Sequence, residues 1–157
     1  ELDGLFLVAQ QVGCAMEKEL QGNMILISSI YGLVGNDQRI YQGSNLAELY
    51  ADNEKEQDRK QIYSHSVYPV VKGGIISLTR YLAAYWGDKN IRVNCISPGG
   101  IEDNQKKIFI KNYSQRTILK RMGRPNDLNG IIKLLCSDDS QYITGTNLIV
   151  DGGWTTI

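Results

Sequence analysis

The chain has 157 residues, 42% apolar and 22% charged, the size and make-up of one ordinary globular domain with room for a core. Its 17 basic and 17 acidic residues cancel, so no global field draws it to nucleic acid or anionic lipid. A small molecule is the expected partner, with no nucleic acid and no membrane. Cys14, Cys95 and Cys136 lack C-x-x-C or other metal-ligand spacing. Cys95 and Cys136 stand in apolar runs, where a free thiol behaves as a small hydrophobe, and a reduced, cytoplasmic setting is the simpler reading. No apolar stretch reaches the length of a membrane span. The opening Glu1-Leu2-Asp3-Gly4 has neither an initiator methionine nor a signal peptide's basic head, and reads as the middle of a longer chain.

In chain order, Leu2 to Leu20 carries apolar residues at helical spacing (Leu5, Val8, Ala9, Val12, Ala15, Met16), and Gly22-Asn23 is its stop signal. Met24-Ile25-Leu26-Ile27 is continuously apolar, as in a strand buried on both faces of a parallel sheet. From Gly35 to Ser66 the pattern breaks down and reads as an inserted surface segment, with the charged run Asp52 to Lys60 readable as a short exposed helix. Val67 to Trp86 is the longest helical candidate; Pro69 fits only near its first turn, and Gly87 ends it. Ile91 to Ile96 predicts a second strand, closed by Ser97-Pro98-Gly99-Gly100. A polar segment rich in Lys and Gln predicts a helix with loops on either side. Asn126-Asp127 can cap a helix running to about Cys136, and Thr146 to Val150 predicts a last strand before Asp151-Gly152-Gly153. Alternating helices and strands predict an α/β fold, a doubly wound parallel sheet.

In such sheets ligands bind beyond the carboxyl ends of the strands. The first strand runs into Ser28-Ser29-Ile30-Tyr31-Gly32, and the second into Pro98-Gly99, where a turn lets backbone approach a ligand closely. The third end, Asp151-Gly152-Gly153, reads as a structural turn. Between the first two strands lies the helix bearing Tyr68 and Lys72, four residues apart and so on one face. A phenol alone is a poor acid or base at neutral pH, and an ammonium one turn away favours its ionised form. A hydroxyl from a strand end, Ser29, could hold a carbonyl or alcohol oxygen beside that phenol. The Tyr/Lys spacing is weak evidence by itself, since it recurs at Tyr85 and Lys89, at the far end of the helix, where it reads as surface. His65, the only histidine, reads as an exposed loop residue.

Context strengthens the pattern. Met24 to Gly32, then Tyr68-Pro69-Val70-Val71-Lys72-Gly73-Gly74, then Ile91 to Gly99, then Gly123-Arg124-Pro125-Asn126-Asp127-Leu128 and Ile143 to Gly153, in this order, resemble the short-chain dehydrogenase/reductase family over nearly the whole chain outside the inserted segment. The resemblance implies a Rossmann-like fold, of which this chain is the carboxyl-terminal portion, and an oxidoreductase interconverting an alcohol and a ketone with NAD or NADP. It implies that Ser29 binds and polarises the substrate oxygen and that Tyr68 is the acid/base. Lys72 would hold the nicotinamide ribose, while Pro98, Gly99 and the backbone of Ile101 would contact the nicotinamide and its carboxamide. A homodimer or homotetramer is implied, packed through the first helix and the Tyr68 helix. Three departures stand out. The family's glycine-rich phosphate loop is absent, Glu1 stands where an asparagine is frequent, and the link from Ser29 to Tyr68 is longer than usual, which implies a loop beside the substrate pocket that influences specificity. Tyr31-Gly32, Arg80-Tyr81-Leu82 and Asp151-Gly152-Gly153-Trp154 are similar to dehydrogenases of bacterial surface-glycan and flagellin modification, which would imply a sugar-derived substrate.

Two rival readings fit the same residues. One is a sugar-nucleotide epimerase or dehydratase, which shares the Tyr/Lys pair but carries a further substrate domain. The other is a truncated, inactive fragment or oligomer-forming scaffold, in which a central strand would be left as an exposed edge.

Overall fold

The computed structural model describes residues 1–44 and 64–157. The charged run Asp52 to Lys60 lies outside the described residues. Helix α1 spans Leu2–Glu19 and ends at Leu20, whose left-handed conformation (φ 50°) closes the last turn with its N–H on the Glu17 carbonyl. Strand β1 spans Gly22–Ile27, helix α2 Val67–Trp86 and strand β2 Ile91–Pro98. Helix α3 (Lys107–Arg116), helix α4 (Asn129–Cys136) and strand β3 (Asn147–Val150) complete the described elements. The periodic segments thus fold as their sequence predicts.

The sheet is parallel throughout, in the order β1-β2-β3. Gly22 faces Ile91 and Ile27 faces Ile96 across the first pair; Cys95 faces Asn147 and Pro98 faces Val150 across the second. The strand buried on both faces is β2, with Val93 through Ser97 sealed from solvent, whereas β1 ends on an exposed Ile27. The apolar run of β1 predicts that environment for β1 instead; the physical difference is that β1 has a strand partner on one side only among the described residues.

Alternation along the strands sends Met24, Leu26, Val93 and Cys95 to one face, where they meet Ala9 of α1 and Ile75, Ile76, Leu82, Ala83 and Trp86 of α2. Fully burying a side chain such as Ile75 stabilises by roughly 1.5–3 kcal/mol. Asn23 and Arg92 point to the opposite face, where their side chains donate to the Leu135 carbonyl at the end of α4, so helices cover both sides. Buried Asn94 is satisfied by the next connection: its Nδ2 donates to the Ile143 carbonyl at 2.8 Å and its Oδ1 accepts from the Thr146 N–H.

A second core lies beyond the carboxyl ends of the strands, built from Ile30, Ile40, Tyr41, Tyr113, Met122 and Trp154. It corrects one expectation. The beginning of the segment read as a surface insertion turns inward, through a short 3-10 helix at Gln38–Tyr41 that buries Ile40 and Tyr41. Cys136 is exposed while Cys95 is buried, because only Leu135 of α4 faces inward. Asn126-Asp127 sits in a 3-10 turn (Pro125–Leu128) ahead of α4, with the Asp127 carboxylate reaching back to the Arg124 N–H at 2.7 Å and to Arg121.

Candidate active site

The end of β1 divides its two serines by role. Ser28 is buried, and its Oγ donates to the Lys72 carbonyl at 2.7 Å, locking the strand end to the first turns of α2. Ser29 is extended (φ −160°, ψ 159°) and caps the next turn, its Oγ accepting the Tyr31 N–H at 3.2 Å. A hydroxyl that spends a lone pair in this way still has its proton to donate. This approach of loop to helix depends on Gly32, where an added Cβ would lie 2.7 Å from the Lys72 carbonyl carbon and 2.9 Å from the Gly73 nitrogen.

Tyr68 stands in the first turn of α2, 40% exposed and beside the cleft. Lys72, one turn on, is buried; its Nζ lies 5.4 Å from the Tyr68 ring centroid and donates to Glu1 Oε1 at 2.5 Å. Glu1, which stands where an asparagine is frequent in the family it resembles, thus touches the lysine directly. The Tyr85–Lys89 pair at the other end of α2 is an outer-surface feature, with Lys89 bonded to Glu17 and Tyr85 exposed.

From β2, the chain is pinned on both sides after Pro98. The Gly99 N–H bonds the Val150 carbonyl at 2.9 Å, and the Gly100 N–H bonds the Tyr113 hydroxyl at 2.5 Å. Ile101 then forms a parallel bridge with Gly123, in which Gly123 donates to Gly100 and accepts from Glu102. That pattern turns the N–H and C=O of Ile101 away from Gly123. Its carbonyl accepts from Gln105 Nε2 at 2.9 Å.

Ser29, Tyr68, Lys72, Pro98, Gly99 and Ile101 all line one cleft of about 840 Å³ at the carboxyl ends of β1 and β2. Exposed His65 borders it as well. Sequence reasoning missed the aromatic wall, Tyr31, Tyr41, Phe109 and Tyr113. Tyr31 stands in the strand-end segment already expected to face a ligand, whereas the only signal for Tyr41, Phe109 and Tyr113 was large aromatic residues in segments otherwise read as surface or polar. Burial raises the Tyr31 phenol strongly, with smaller contributions from Tyr41 and Tyr113. Burial likewise raises Tyr113, to about 12, against the lowering effect of the Gly100 N–H. Both rings are therefore neutral hydroxyl groups near neutral pH.

A sequence model described as Enoyl-(Acyl carrier protein) reductase matches residues 57–155. A short-chain dehydrogenase from Leptospira borgpetersenii, solved with bound NAD+, superimposes with a TM-score of 0.80 at 40% identity, over 98% of this chain and 52% of that one. The chain belongs to the short-chain dehydrogenase/reductase family. Its Rossmann-like α/β fold is that of these oxidoreductases. Among curated family members, the post-translational flagellin modification protein A of Campylobacter coli is 33% identical over 98% of this chain and 54% of that protein. A gluconate 5-dehydrogenase from Burkholderia cenocepacia, solved with NADP and tartrate, superimposes with a TM-score of 0.78 at 25% identity, over 99% of this chain and 53% of that one. The chain spans about half the length of the relatives it matches. Among the described residues no helix is long and apolar enough to cross a membrane.

Proposed function

We propose that this short-chain dehydrogenase/reductase interconverts an alcohol and a ketone with NAD or NADP, using Tyr68 as acid/base, Ser29 as donor to the substrate oxygen and Lys72 as partner of both phenol and cofactor ribose. The observation that carries this reading is that a serine hydroxyl, a half-exposed phenol and a buried ammonium from two different elements line one cleft at the strand ends. The residues present fit the nicotinamide end of such a cofactor. Pro98, Gly99 and Ile101 line the cleft at the strand ends, and Ile101 turns its main-chain N–H away from its bridge partner Gly123, while its carbonyl is held by Gln105. The bound dinucleotide would supply hydride exchange with the substrate carbon. The chain's own residues handle the proton. Tyr68 gives it to, or takes it from, the substrate oxygen, Ser29 steadies that oxygen by donating from its hydroxyl, and Lys72 keeps positive charge beside the ring.

A polyhydroxylated, sugar-derived substrate suits the cleft. Aromatic rings line it from one side, and Asn36 lines it with a buried Oδ1 that has no hydrogen-bond partner among the described residues. The likeness to a flagellin modification protein and to a gluconate dehydrogenase supports the same class. The protein works in the cytoplasm as a homodimer or homotetramer, consistent with exposed Leu7 and Val8 on α1 and Tyr81 on α2. The chain is one partial Rossmann domain, and Asn36, Tyr41, Ser44, Ser64 and His65, from the described ends of the inserted segment, line the cleft.

The test is NADH and NADPH binding by the purified gene product, followed by turnover of sugar alcohols and ketoses by the parent and Tyr68→Phe. Loss of an acid/base group costs on the order of 10²–10⁴-fold in turnover, with dinucleotide affinity little changed. Binding of neither dinucleotide, or full activity in Tyr68→Phe, would refute the reading.

A further inference from the structure

Trp154 touches neither Ser29, Tyr68 nor Lys72 in the described contacts, yet rings connect it to both sides of the cleft. It is buried, 3% exposed, in the 3-10 turn Trp154–Thr156 that follows β3. That turn is rigidly built: the Asp151 carboxylate accepts from the N–H groups of Gly153 and Thr155 and from the Thr155 hydroxyl, each at 2.8 Å. The Arg116 guanidinium covers the indole at 5.5 Å.

On the substrate side, the indole meets the Tyr31 ring edge-to-face at 6.4 Å, and Tyr31 in turn meets Tyr68 edge-to-face at 6.4 Å. Tyr31 also donates its N–H to Ser29. On the other side, the indole stacks on Tyr113 with centroids 4.4 Å apart, and the Tyr113 hydroxyl accepts the Gly100 N–H in the Pro98–Ile101 segment. One side chain therefore braces two walls that are far apart in sequence.

We infer that Trp154 is a positioning residue that sets the substrate-binding wall through Tyr31 and the nicotinamide-facing segment through Tyr113. The inference rests on the proposed dehydrogenase reading. Tyr31 is the residue through which it governs specificity, since this ring lines the cleft beside both Ser29 and Tyr68. An aromatic side chain at 154 can serve; an aliphatic one of similar bulk cannot, because the contacts are oriented ring pairs.

The test uses the purified gene product, with dinucleotide Kd by fluorescence titration and steady-state kinetics with the best substrate found. Trp154→Leu removes two ring pairs and is expected to lower kcat/KM by roughly tenfold, mainly through KM, and to weaken dinucleotide binding by roughly fivefold. Trp154→Phe is expected to retain both within about threefold. If Trp154→Leu fails to fold, Tyr31→Leu isolates one arm: substrate KM rises while dinucleotide Kd stays near the parent value. Parent-like values in Trp154→Leu, no rescue by Phe, or a rise of both constants in Tyr31→Leu overturn the inference while leaving the dehydrogenase reading standing. Failure of the parent itself to bind either dinucleotide overturns both.

Discussion

Gly32→Ala is the sharpest test of how the site is assembled. The added methyl would lie 2.7 Å from the Lys72 carbonyl carbon, 2.8 Å from its oxygen and 2.9 Å from the Gly73 nitrogen. All three are main-chain atoms of α2, so no side chain can rotate out of the way. Restoring ordinary contact distance requires the loop and helix to part by about 0.7 Å, and overpacking of this kind costs about 1–3 kcal/mol. The same movement stretches and weakens the Ser28 hydrogen bond to the Lys72 carbonyl and moves Ser29 away from Tyr68. Misplacement of reacting groups by an ångström can cost about 100-fold, so a loss of roughly 10- to 100-fold in kcat/KM is expected together with the stability loss. Thermal unfolding and steady-state kinetics of the same preparations measure both. A Gly32→Ala protein with parental Tm and parental activity would show that the loop does not rest on α2 as described.

Gly13→Ala places a methyl 1.8 Å from the Trp86 ring and should lower Tm by several degrees, about 2–4 °C per kcal/mol for a protein of this size, whereas Gly4→Ala, with open space around it, should not. Ile75→Ala empties a fully buried site between α2 and the sheet and should cost about 2–5 kcal/mol in denaturant unfolding. The hydrogen bond from Arg121, and next the Arg124 N–H, hold the Asp127 carboxyl down at about 2, against 3.8 for the free group. Its contribution to stability is thus present above pH 3.8 and disappears as pH falls toward 2. Carboxyl NMR titration should find that midpoint, and Arg121→Ala should move it upward. Tyr113, raised by burial to about 12 from 10, should favour the unfolded chain as pH climbs from 10 toward 12. Tyr113→Phe should remove that alkaline loss of stability along with one late step in the phenolate absorbance titration.

Much of this protein was legible locally. Helical spacing from Leu5 to Met16 and from Val67 to Trp86 reflects a periodicity of 3.6, and the short apolar run of β1 and the strand pattern of Ile91 to Ile96 are equally visible in a short window. The strand-end serines and the four-residue step from Tyr68 to Lys72 by themselves place three candidate residues at one end of a parallel sheet. What the sequence could not decide is everything set by meetings between distant segments. Gly13 looks like a weak spot in α1 until Trp86, 73 positions away, fills the space beside it. Ile40 and Tyr41 look like part of a surface insertion until α3 and Trp154 give them a core to join. The bond from Lys72 to Glu1, and the rings that run from Trp154 through Tyr31 to Tyr68, likewise link residues that share no local pattern. Backbone periodicity is a property of neighbours along the chain, whereas packing and charge pairing depend on distances through space that only the folded chain establishes.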